Sequence, residues 1–428
     1  FSRLVNRYNI KAILFTDYKA VKEESERLVR FCEKEKVRML LLPSLDELKG
    51  GKLKMRALPE VRIEDLLGRE EIRINMEEIA TSLKGKVVLV TGAAGSIGSE
   101  LCRQLCHFGL KQLVLFDSAE TPMHNIRLEL EEKFPDVEFT PVMGDIRMIH
   151  RVESIYQRFH PQLVFHAAAY KHVPLMEDSP NEAIKNNVIG TLKTARTASR
   201  YHVKKFILIS TDKAVNPTNI MGASKRLCEM VIQMIGKHST TEFAAVRFGN
   251  VLGSNGSVIP LFRRQIEHGG PVTVTHPDII RYFMTIPEAV SLVLEAGAYA
   301  KNGQIFVLNM GDPVRIADLA KNMIRLSGYE PGVEIEIKYI GLRPGEKLYE
   351  ELLMNEEGMQ TTENSRIFIG RQIAFDETVF RKQMKELERA AENECPDICE
   401  RVKRMVPEYQ YEGEKKHDGP SYTYSAGG

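Results

Sequence analysis

The sequence predicts an α/β protein organised around a doubly wound parallel sheet. Short apolar segments alternate with amphipathic helical patterns along most of the 428 residues, and this alternation is typical of βαβ units. The helical patterns fill the gaps between consecutive strand candidates, as crossover connections between parallel strands require. The composition, with 43% hydrophobic and 27% charged residues, is that of a globular protein.

The first sixty residues contain one strand–helix–strand unit, which is too short to be a complete domain. Strands are predicted at 10–16 and 38–42, with a charged amphipathic helix at 18–36 between them. We assign residues 1–60 to an N-terminal α/β fragment of βαβ type and residues 61–84 to a connecting segment.

Six further strand candidates, with their helices, have the size of one nucleotide-binding sheet of the Rossmann type. We assign this sheet to residues 85–250, with residues 286–310 returning to it. The strand candidates are 86–91, 112–116, 137–143, 162–168, 204–210 and 242–248.

Glycine- and proline-rich loops change the pattern after Gly249 and indicate a smaller α/β lobe that binds the substrate. We assign residues 251–285 and 311–372 to this lobe, and residues 373–428 to a C-terminal helical region and tail. The elements predicted in this half are strands at 272–275, 304–309, 334–339 and 366–369 and helices at 287–300, 315–327 and 376–405.

A glycine-rich turn joins the first strand of the sheet to its helix. Gly92, Gly95 and Gly98 are spaced G-x-x-G-x-x-G, which permits a tight turn and lets a phosphate approach bare backbone at a helix N-terminus. Asp117 ends the next strand, 19 residues after Gly98. A carboxylate there hydrogen-bonds ribose hydroxyls and repels a 2′-phosphate, so the predicted cofactor is NAD.

Residues at the next strand ends complete the predicted cofactor site. Asp145 closes the third strand, where its carboxylate can accept from the adenine amine. Three alanines let the dinucleotide lie against the fourth strand, and His166, just before them, is interpreted as a core histidine. The predicted cofactor-binding residues are Gly92, Gly95, Ser96, Ile97, Gly98, Asp117, Ser118, Asp145, Ile146, Ala167, Ala168, Ala169 and Lys225.

Charge and cysteine usage exclude other classes of protein. The net charge of +1 gives no large electropositive surface for nucleic acid. The six cysteines are scattered, with no second Cys or His pair beside them. This usage predicts a reduced, intracellular chain without a metal site.

Six motifs occur in order within residues 60–370. They are TGAAGSIG, GDIRM, HAAAYKHVPLMEDSPNEAIKNNVIGT, ISTDKAVNPTNIMGASK, RFGNVLGSNGSVIP and LRPGEKLYEELL. Together they resemble the extended short-chain dehydrogenase/reductases and, more narrowly, the bacterial nucleotide-sugar 4,6-dehydratases of polysaccharide and glycan biosynthesis. The sequence is most similar to the long, membrane-anchored UDP-N-acetylglucosamine 4,6-dehydratases that retain the configuration at C5.

This resemblance implies a lyase that holds NAD and converts UDP-N-acetylglucosamine to UDP-2-acetamido-4-keto-2,6-dideoxyhexose. It also implies a homodimer or higher homo-oligomer, with helices 97–108, 120–134, 181–200 and 219–236 available for the dimer contact. The chain begins at Phe1 in mid-pattern and has no run of 18 apolar residues, so we expect a soluble fragment. A missing N-terminal segment would hold the full-length protein at the cytoplasmic face of the inner membrane.

The catalytic residues that the resemblance implies are Thr211, Asp212, Lys213, Met221 and Lys225. The implied reaction oxidises sugar C4, removes the C5 proton and the C6 hydroxyl as water, and returns a hydride to C6. Asp212 is assigned as the acid at C6 and Lys213 as the base at C5. With reference pKa values of about 3.9 and about 10.4, neither group has the required charge at pH 7. Because burial disfavours both charged forms and a direct ion pair favours them, we expect the two side chains to diverge.

Met221 stands where the superfamily has the tyrosine of a Tyr-x-x-x-Lys pair. Methionine has no ionisable proton, so the group that takes the C4 hydroxyl proton stays open between Thr211, Asp212 and a water. Lys225 is expected to bind the nicotinamide ribose and to add positive charge beside C4. Met221 could equally pack under the sugar.

Residues after the strand ends and in the lobe are expected to bind the substrate. Asn250 can donate to a diphosphate oxygen, and the guanidinium groups of Arg281 and Arg343 suit diphosphate pairing. Glu346 can accept from the ribose or the uracil. The predicted substrate-binding residues are Lys171, His172, Asn250, Ser257, Val258, Arg281, Arg343 and Glu346.

Three other functions stay open at this stage. A C5-inverting dehydratase is the nearest, although such enzymes normally keep the tyrosine. A UDP-sugar C4 epimerase is disfavoured by the Asp-Lys pair, which suits elimination. The third is a non-catalytic NAD-binding scaffold that lost its activity together with the tyrosine.

Overall fold

The computed structural model describes most of the chain from Ile74 onward and two short pieces before it. The described residues are 8, 10, 12–15, 37–41, 74–351, 359–370, 372 and 375–411. The predicted helix 18–36 and residues 43–73 lie outside the described residues.

The two predicted strands of the N-terminal fragment are present. They are β1 (Ala12–Phe15) and β2 (Arg38–Leu41), which pair in parallel. No helix in the described part of the chain is long and apolar enough to cross a membrane.

A nine-stranded sheet forms the centre of the fold and confirms the predicted Rossmann-type class. Its strands are β3 (Val87–Thr91), β4 (Gln112–Asp117), β5 (Phe139–Met143), β6 (Leu163–His166), β7 (Lys205–Ile209), β8 (Glu242–Arg247), β12 (Gln304–Leu308), β15 (Met359–Thr361) and β16 (Ile367–Gly370). Their order is β15-β16-β12-β8-β7-β6-β3-β4-β5. From β12 to β5 all neighbours run parallel.

Helices cover both faces of this sheet. Successive strand residues point to opposite faces, so Val88 and Val90 pack in one apolar layer and Val87 and Leu89 in the other. The strands are therefore apolar throughout, as is typical of parallel sheets. The first layer contains α1 (Met76–Leu83), α2 (Ser96–Leu105), α3 (Glu120–Lys133) and α10 (Ile286–Tyr299); the second contains α4 (Ile149–Phe159), α7 (Gly190–Arg200), α8 (Ile220–Gly236), α12 (Glu377–Glu392) and α13 (Ile398–Met405).

The predicted helix 181–200 is interrupted. After α5 (Val173–Asp178), the chain forms α6 (Pro180–Ala183), a π-helical turn (Ile184–Ile189) and then α7. Such turns inside helices are frequent at functional sites, and this one contains the buried Asn187, whose side chain hydrogen-bonds Tyr170.

Residues 359–370 belong to the central sheet and not, as predicted, to the lobe. β16 pairs antiparallel with β12, and β15 pairs antiparallel with β16. Without this pairing β12 would end the sheet with a row of unpaired backbone groups, which is costly for an apolar strand.

The lobe has an apolar core of its own, which includes Phe262, Phe283 and Ile324. It joins the sheet at the carboxyl end of β8, where its first short strand follows directly. Its elements are β9 (Asn250–Val251), α9 (Val258–Glu267), β10 (Val272–Val274), β11 (Ile280–Met284), β13 (Pro313–Arg315), α11 (Ile316–Leu326) and β14 (Ile337–Tyr339).

The C-terminal helices cover α8. All 17 residues of α8 are buried, α13 packs against it, and Val402 and Met405 share its apolar layer. The helix therefore has no exposed face on the single chain. The expectation that residues 219–236 offer a dimer contact is wrong, because the chain's own C-terminal helices occupy that side.

Candidate active site

A cavity of about 840 Å³ opens between the carboxyl ends of the parallel strands and the lobe. Ligands of open α/β sheets bind at this position. Most of the predicted site residues line it: Gly92, Gly95, Ser96, Ile97, Gly98, Ala167, Ala169, Lys171, His172, Thr211, Lys213, Met221, Lys225, Asn250, Ser257, Val258, Arg281, Arg343 and Glu346. Asp117, Ser118, Asp145, Ile146, Ala168 and Asp212 are not part of this lining.

The glycine turn at one end of the cavity has no space for side chains. A Cβ on Gly98 would lie 1.9 Å from the carbonyl oxygen of Gly92. Gly92 has φ +68°, and a Cβ there would lie 2.6 Å from the amide nitrogen of Ala168. The backbone around the N-terminus of α2 is therefore bare, as the approach of a diphosphate requires.

Asp117 holds this turn from the neighbouring strand. Its Oδ2 accepts from the amide of Ala94 at 2.9 Å, and its Oδ1 accepts from the amide of Ala119 at 2.9 Å. Ser118, between them, is exposed. The predicted ribose contact of Asp117 stays a prediction.

Asp145 forms a close ion pair with Arg147. Its Oδ2 lies 2.6 Å from Nη2 of Arg147, and its Oδ1 accepts from the Arg147 amide at 2.8 Å. Burial raises the pKa of Asp145, but the hydrogen bonds and charge of Arg147 outweigh burial and lower it. The adjacent Ile146 is buried against Gly190. The adenine contact proposed for Asp145 therefore remains a prediction.

Asp212 and Lys213 form a direct ion pair, so the expectation that their side chains diverge is wrong. Lys213 Nζ donates to Asp212 Oδ1 at 3.0 Å and to Asn250 Oδ1 at 3.1 Å. Both residues lie in one short 3₁₀ turn (Asp212–Ala214), which directs them to the same side. Burial lowers the pKa of Lys213, but the charges of Asp212 and Glu350 outweigh burial and raise it.

Thr211 links Asp212 to the cavity. Its Oγ1 donates to Asp212 Oδ1 at 2.8 Å, and Thr211 lines the cavity whereas Asp212 is fully buried behind it. Among the described residues, no group hydrogen-bonds to the buried Oδ2 of Asp212. A proton can therefore pass between the cavity and Asp212 through the Thr211 hydroxyl.

The N-terminus of α8 is pressed against this turn. Asn219 caps the helix by accepting from the Gly222 amide at 2.8 Å, and Glu177 accepts from the Ile220 amide at 2.7 Å. Met221 is 4% exposed and lines the cavity. One turn later, Lys225 Nζ donates to the carbonyl oxygen of Ile209 at 2.7 Å.

Burial lowers the pKa of Lys225. Its hydrogen bond to β7 fixes the amino group at the floor of the cavity, and the nicotinamide contact expected of it stays a prediction. His166 is confirmed as a core histidine, because its ring nitrogens contact the hydroxyls of Thr91 at 2.7 Å and Thr191 at 2.9 Å.

The π-helical turn packs against α8 and holds the loop at Tyr170, which lines the cavity. Asn187 accepts from the Tyr170 amide at 2.8 Å and donates to the Tyr170 carbonyl at 3.0 Å and to Ser224 Oγ at 2.9 Å. The sequence interpretation did not single out Asn187, because a lone Asn inside a helical pattern carries no distinctive spacing.

Arg281 is already engaged by the protein. Its guanidinium donates to the carbonyl oxygens of Ile280 at 2.7 Å and Lys347 at 2.8 Å, and it lies 3.5 Å from Glu346. Arg343, by contrast, is exposed at the rim of the cavity. Of the two predicted diphosphate partners, Arg343 is therefore the more accessible.

Glu346 closes a turn of the lobe. Its Oε2 accepts from the Arg343 amide at 3.1 Å, and its Oε1 accepts from Thr275 Oγ1 at 3.2 Å. Both contacts hold Glu346 at the cavity wall, and its predicted ribose or uracil contact stays a prediction.

Polar groups also face the cavity from the loop after β6 and from the loop before α9. Lys171 Nζ donates to Ser254 Oγ at 3.3 Å, and burial lowers the pKa of Lys171 and of His172. Gly256 has φ +70°, and a Cβ on it would lie 2.6 Å from the His172 ring. Among the described residues, the buried Ser257 Oγ has no hydrogen-bond partner, so it is available to a ligand.

The sequence interpretation missed Glu350. This carboxylate is buried, and its Oε1 lies 3.5 Å from Lys213 Nζ and 3.7 Å from Arg281 Nε. The quoted motif LRPGEKLYEELL contains it, but an acidic residue in an irregular segment resembles a surface residue in sequence.

A buried ionic cluster behind the site was also missed. Glu229 of α8 accepts from Arg247 at 2.7 Å, from Arg226 at 3.1 Å and from Ser210 Oγ at 2.7 Å. Ser210 precedes Thr211, so this cluster fixes the start of the Asp212–Ala214 turn to α8 and β8.

The sequence matches a family described as polysaccharide biosynthesis protein over residues 88–372. The chain belongs to this family. This match, together with the relatives below, confirms the predicted polysaccharide-biosynthesis type.

A similar relative is the capsular polysaccharide biosynthesis protein CapD of Staphylococcus aureus. The two are 50% identical over 356 residues, which cover 83% of this chain and 59% of that protein. The chain thus spans about three fifths of the length of the curated relatives that it matches first.

Solved structures share the fold. The X-ray structure of Pen from Bacillus thuringiensis is 35% identical, has a TM-score of 0.62 and covers 69% of this chain and 89% of that chain. DesIV, a dTDP-glucose 4,6-dehydratase from Streptomyces venezuelae with NAD and TYD bound, is 21% identical with a TM-score of 0.58. That alignment covers 69% of this chain and 95% of DesIV.

Proposed function

We propose that this chain is an NAD-dependent nucleotide-sugar 4,6-dehydratase, a hydro-lyase, that acts on UDP-N-acetylglucosamine. The observation that carries the proposal is the Thr211–Asp212–Lys213 turn, which places an acid and a base beside a cavity that begins at a bare glycine turn. The motif resemblance and the polysaccharide-biosynthesis family support the substrate class. A homo-oligomer at the cytoplasmic face of the inner membrane is part of the same proposal for the whole protein.

The glycine turn fits a dinucleotide. At Gly92 and Gly98 a Cβ would collide with neighbouring backbone, so the backbone there stays bare. Ser96 and Ile97 are the first residues of α2. The small alanine side chains after β6 leave space in the cavity for the dinucleotide. DesIV, which shares this fold, is a dehydratase with NAD bound. When bound here, NAD would accept a hydride from sugar C4 and return it to C6.

The hydrogen bond between Thr211 and Asp212 provides a route for the C4 hydroxyl proton without a tyrosine. Thr211 Oγ1 donates to Asp212 Oδ1 and keeps a lone pair for the C4 hydroxyl. The hydroxyl proton passes to Thr211, while the Thr211 proton passes to Asp212. Asp212 then returns a proton through Thr211 to the C6 hydroxyl, which leaves as water. Asp212 therefore does not need to hold a proton before the reaction begins, because the C4 hydroxyl supplies the proton that the C6 hydroxyl receives.

Lys213 takes the proton from C5, exchanges its protons with solvent, and delivers a proton to C5 after the C6 hydroxyl has left. The transfer of a proton to Asp212 removes one of the negative charges that raise the pKa of Lys213. The pKa of Lys213 is thereby lowered, so the ammonium can release a proton to solvent and a neutral amine is present at the step that removes the C5 proton. The cycle removes one water and leaves both side chains as they began.

Incubation with NAD⁺ and UDP-N-acetylglucosamine in heavy water tests the proposal. We expect a product that has lost water, carries a ketone at C4 and contains deuterium at C5, as read by NMR and mass spectrometry. An unchanged mass with C4 inverted would indicate an epimerase, inverted C5 an inverting dehydratase, and no reaction a scaffold.

Two lysine variants test the base in the same assay. We expect Lys213→Ala to abolish deuterium incorporation at C5. Lys301→Ala is the matched control, because Lys301 is exposed and lies outside the cavity lining. Deuterium incorporation retained in Lys213→Ala would exclude Lys213 as the base.

A further inference from the structure

Glu350 occupies a position that the proposed cycle does not use. It lies in the lobe segment after Glu346 and is buried at 8% exposure. Within the described residues, its Oε2 is buried and has no hydrogen-bond partner. A buried carboxylate is costly unless it is paired, and its nearest cations are Lys213 at 3.5 Å and Arg281 at 3.7 Å.

Three acceptors from three parts of the chain surround the Lys213 ammonium. Asp212 Oδ1 comes from its own turn at 3.0 Å, Asn250 Oδ1 from the first strand of the lobe at 3.1 Å, and Glu350 Oε1 from the later lobe segment at 3.5 Å. An ammonium group has three N–H donors. Two of these donors are hydrogen-bonded, to Asp212 and Asn250, and Glu350 lies at ion-pair distance, so all three groups hold the ammonium in place.

We propose that Glu350 is a positioning residue that holds Lys213 and sets the pH at which Lys213 becomes a base. This inference rests on the proposed function, in which Lys213 removes the C5 proton. The charged groups that face Lys213 are Asp212 and Glu350, which favour the ammonium, and Arg281, which opposes it. Lys213 comes from the sheet and Glu350 from the lobe, so contact between the two parts determines the charge of the base.

Glu350→Gln tests this role, because it keeps the shape of the side chain and removes the charge. Removing a negative charge at this distance lowers the pKa of Lys213 by about 1 to 3 units. Dehydration that needs a neutral Lys213 increases with pH. The rising limb of kcat against pH should therefore move to lower pH by that amount, and C5 deuterium incorporation should follow the same shift.

Glu351→Gln is the matched control. Glu351 is the next residue, is exposed, and accepts from Asn216 at 3.0 Å and from Lys347 at 3.2 Å. Glu351 is not among the charged groups that face Lys213. The dependence of kcat on pH in Glu351→Gln should therefore coincide with that of the unaltered protein.

Glu350→Asp gives an independent reading if the glutamine variant does not fold. The shorter side chain keeps the negative charge but moves it away from Lys213. We therefore expect the rising limb of kcat against pH to move to lower pH by a smaller amount than in Glu350→Gln. If a folded Glu350 variant lost the same fraction of kcat at every pH, with the rising limb unmoved, the inference would be overturned. An unaltered protein that forms no dehydrated product would instead refute the proposed function.

Discussion

Gly222 lies so close to Lys213 that a Cβ built on it would be 2.2 Å from the Lys213 carbonyl oxygen. The start of α8 and the Asp212–Ala214 turn therefore lie so close that no side-chain atom fits between their backbones. Met221 and Lys225 on one side and Thr211 and Lys213 on the other keep their positions because of this contact.

Gly222→Ala should displace the Asp212–Ala214 turn. The added methyl group cannot be accommodated by rotating a side chain, because it meets backbone, so we expect a destabilisation of roughly 1–3 kcal/mol and a loss of most of kcat. Urea unfolding and the dehydration assay measure the two effects. Gly297→Ala is the control, since its Cβ would meet only side chains, the nearest at 3.3 Å. Normal kcat in Gly222→Ala would contradict the role given to this contact.

Gly98→Ala should abolish NAD binding. A Cβ there would lie 1.9 Å from the Gly92 carbonyl oxygen, so the turn must open and its amides must leave the position that a diphosphate needs. Calorimetric titration with NAD⁺ should show affinity weakened at least tenfold. Ser99→Ala, one residue along the same helix, should bind NAD⁺ as before. Equal affinities in the two variants would place the cofactor elsewhere.

Thr211→Val should slow turnover without weakening substrate binding. Valine has the shape of threonine but has no hydroxyl between the cavity and Asp212, so the proposed proton route is lost. Loss of acid–base catalysis costs about 10²–10⁴ in rate, and KM should change little. Thr211→Ser restores a hydroxyl and should restore most of kcat. If valine and serine variants are equally active, the C4 proton takes another route.

Glu229→Gln should destabilise the fold. Glu229 is 1% exposed and faces the guanidinium groups of Arg226 and Arg247, so loss of its charge should cost about 3–5 kcal/mol. Glu131→Gln is the control, because the Glu131–Arg127 pair is exposed and should contribute less than about 1 kcal/mol. Urea midpoints at pH 7 measure both.

The same variant has a defined pH dependence. Burial raises the pKa of Glu229, but the charges of Arg247 and Arg226 outweigh burial and lower it to about 2 from 4.5. The stabilisation is fully present above the unfolded value and is lost as the pH falls through the folded value. The stability difference between the unaltered protein and Glu229→Gln should therefore shrink between about pH 4.5 and pH 2. A constant difference over this range would contradict the assignment.

Local patterns in the sequence were sufficient for the glycine turn and the parallel strands of the central sheet. Gly92, Gly95 and Gly98 act through their own backbone, and the buried strands are apolar on both faces, so neighbouring residues carry the information. The position of Asp117 at the end of the adjacent strand was predicted for the same reason, whereas its hydrogen bonds to the Ala94 and Ala119 amides were not.

Side-chain partners could not be derived in this way. Whether Asp212 and Lys213 converge depends on the 3₁₀ turn and on Asn250 and Glu350, which arrive from distant parts of the chain. The assignment of residues 366–369 to the lobe failed because a four-residue strand carries no sign of the sheet that it joins. The burial of α8 depends on helices that follow it by more than a hundred residues.

The cover over α8 has a consequence for synthesis of the protein. The amide of Gln410 donates to the carbonyl oxygen of Pro217 at 2.8 Å, so residues beyond α13 also hold the loop between Lys213 and Met221. A ribosome releases α8 long before it releases this cover. The nascent chain therefore carries α8 with one apolar side in water, where chaperones and other chains can reach it, until residues 398–411 have emerged.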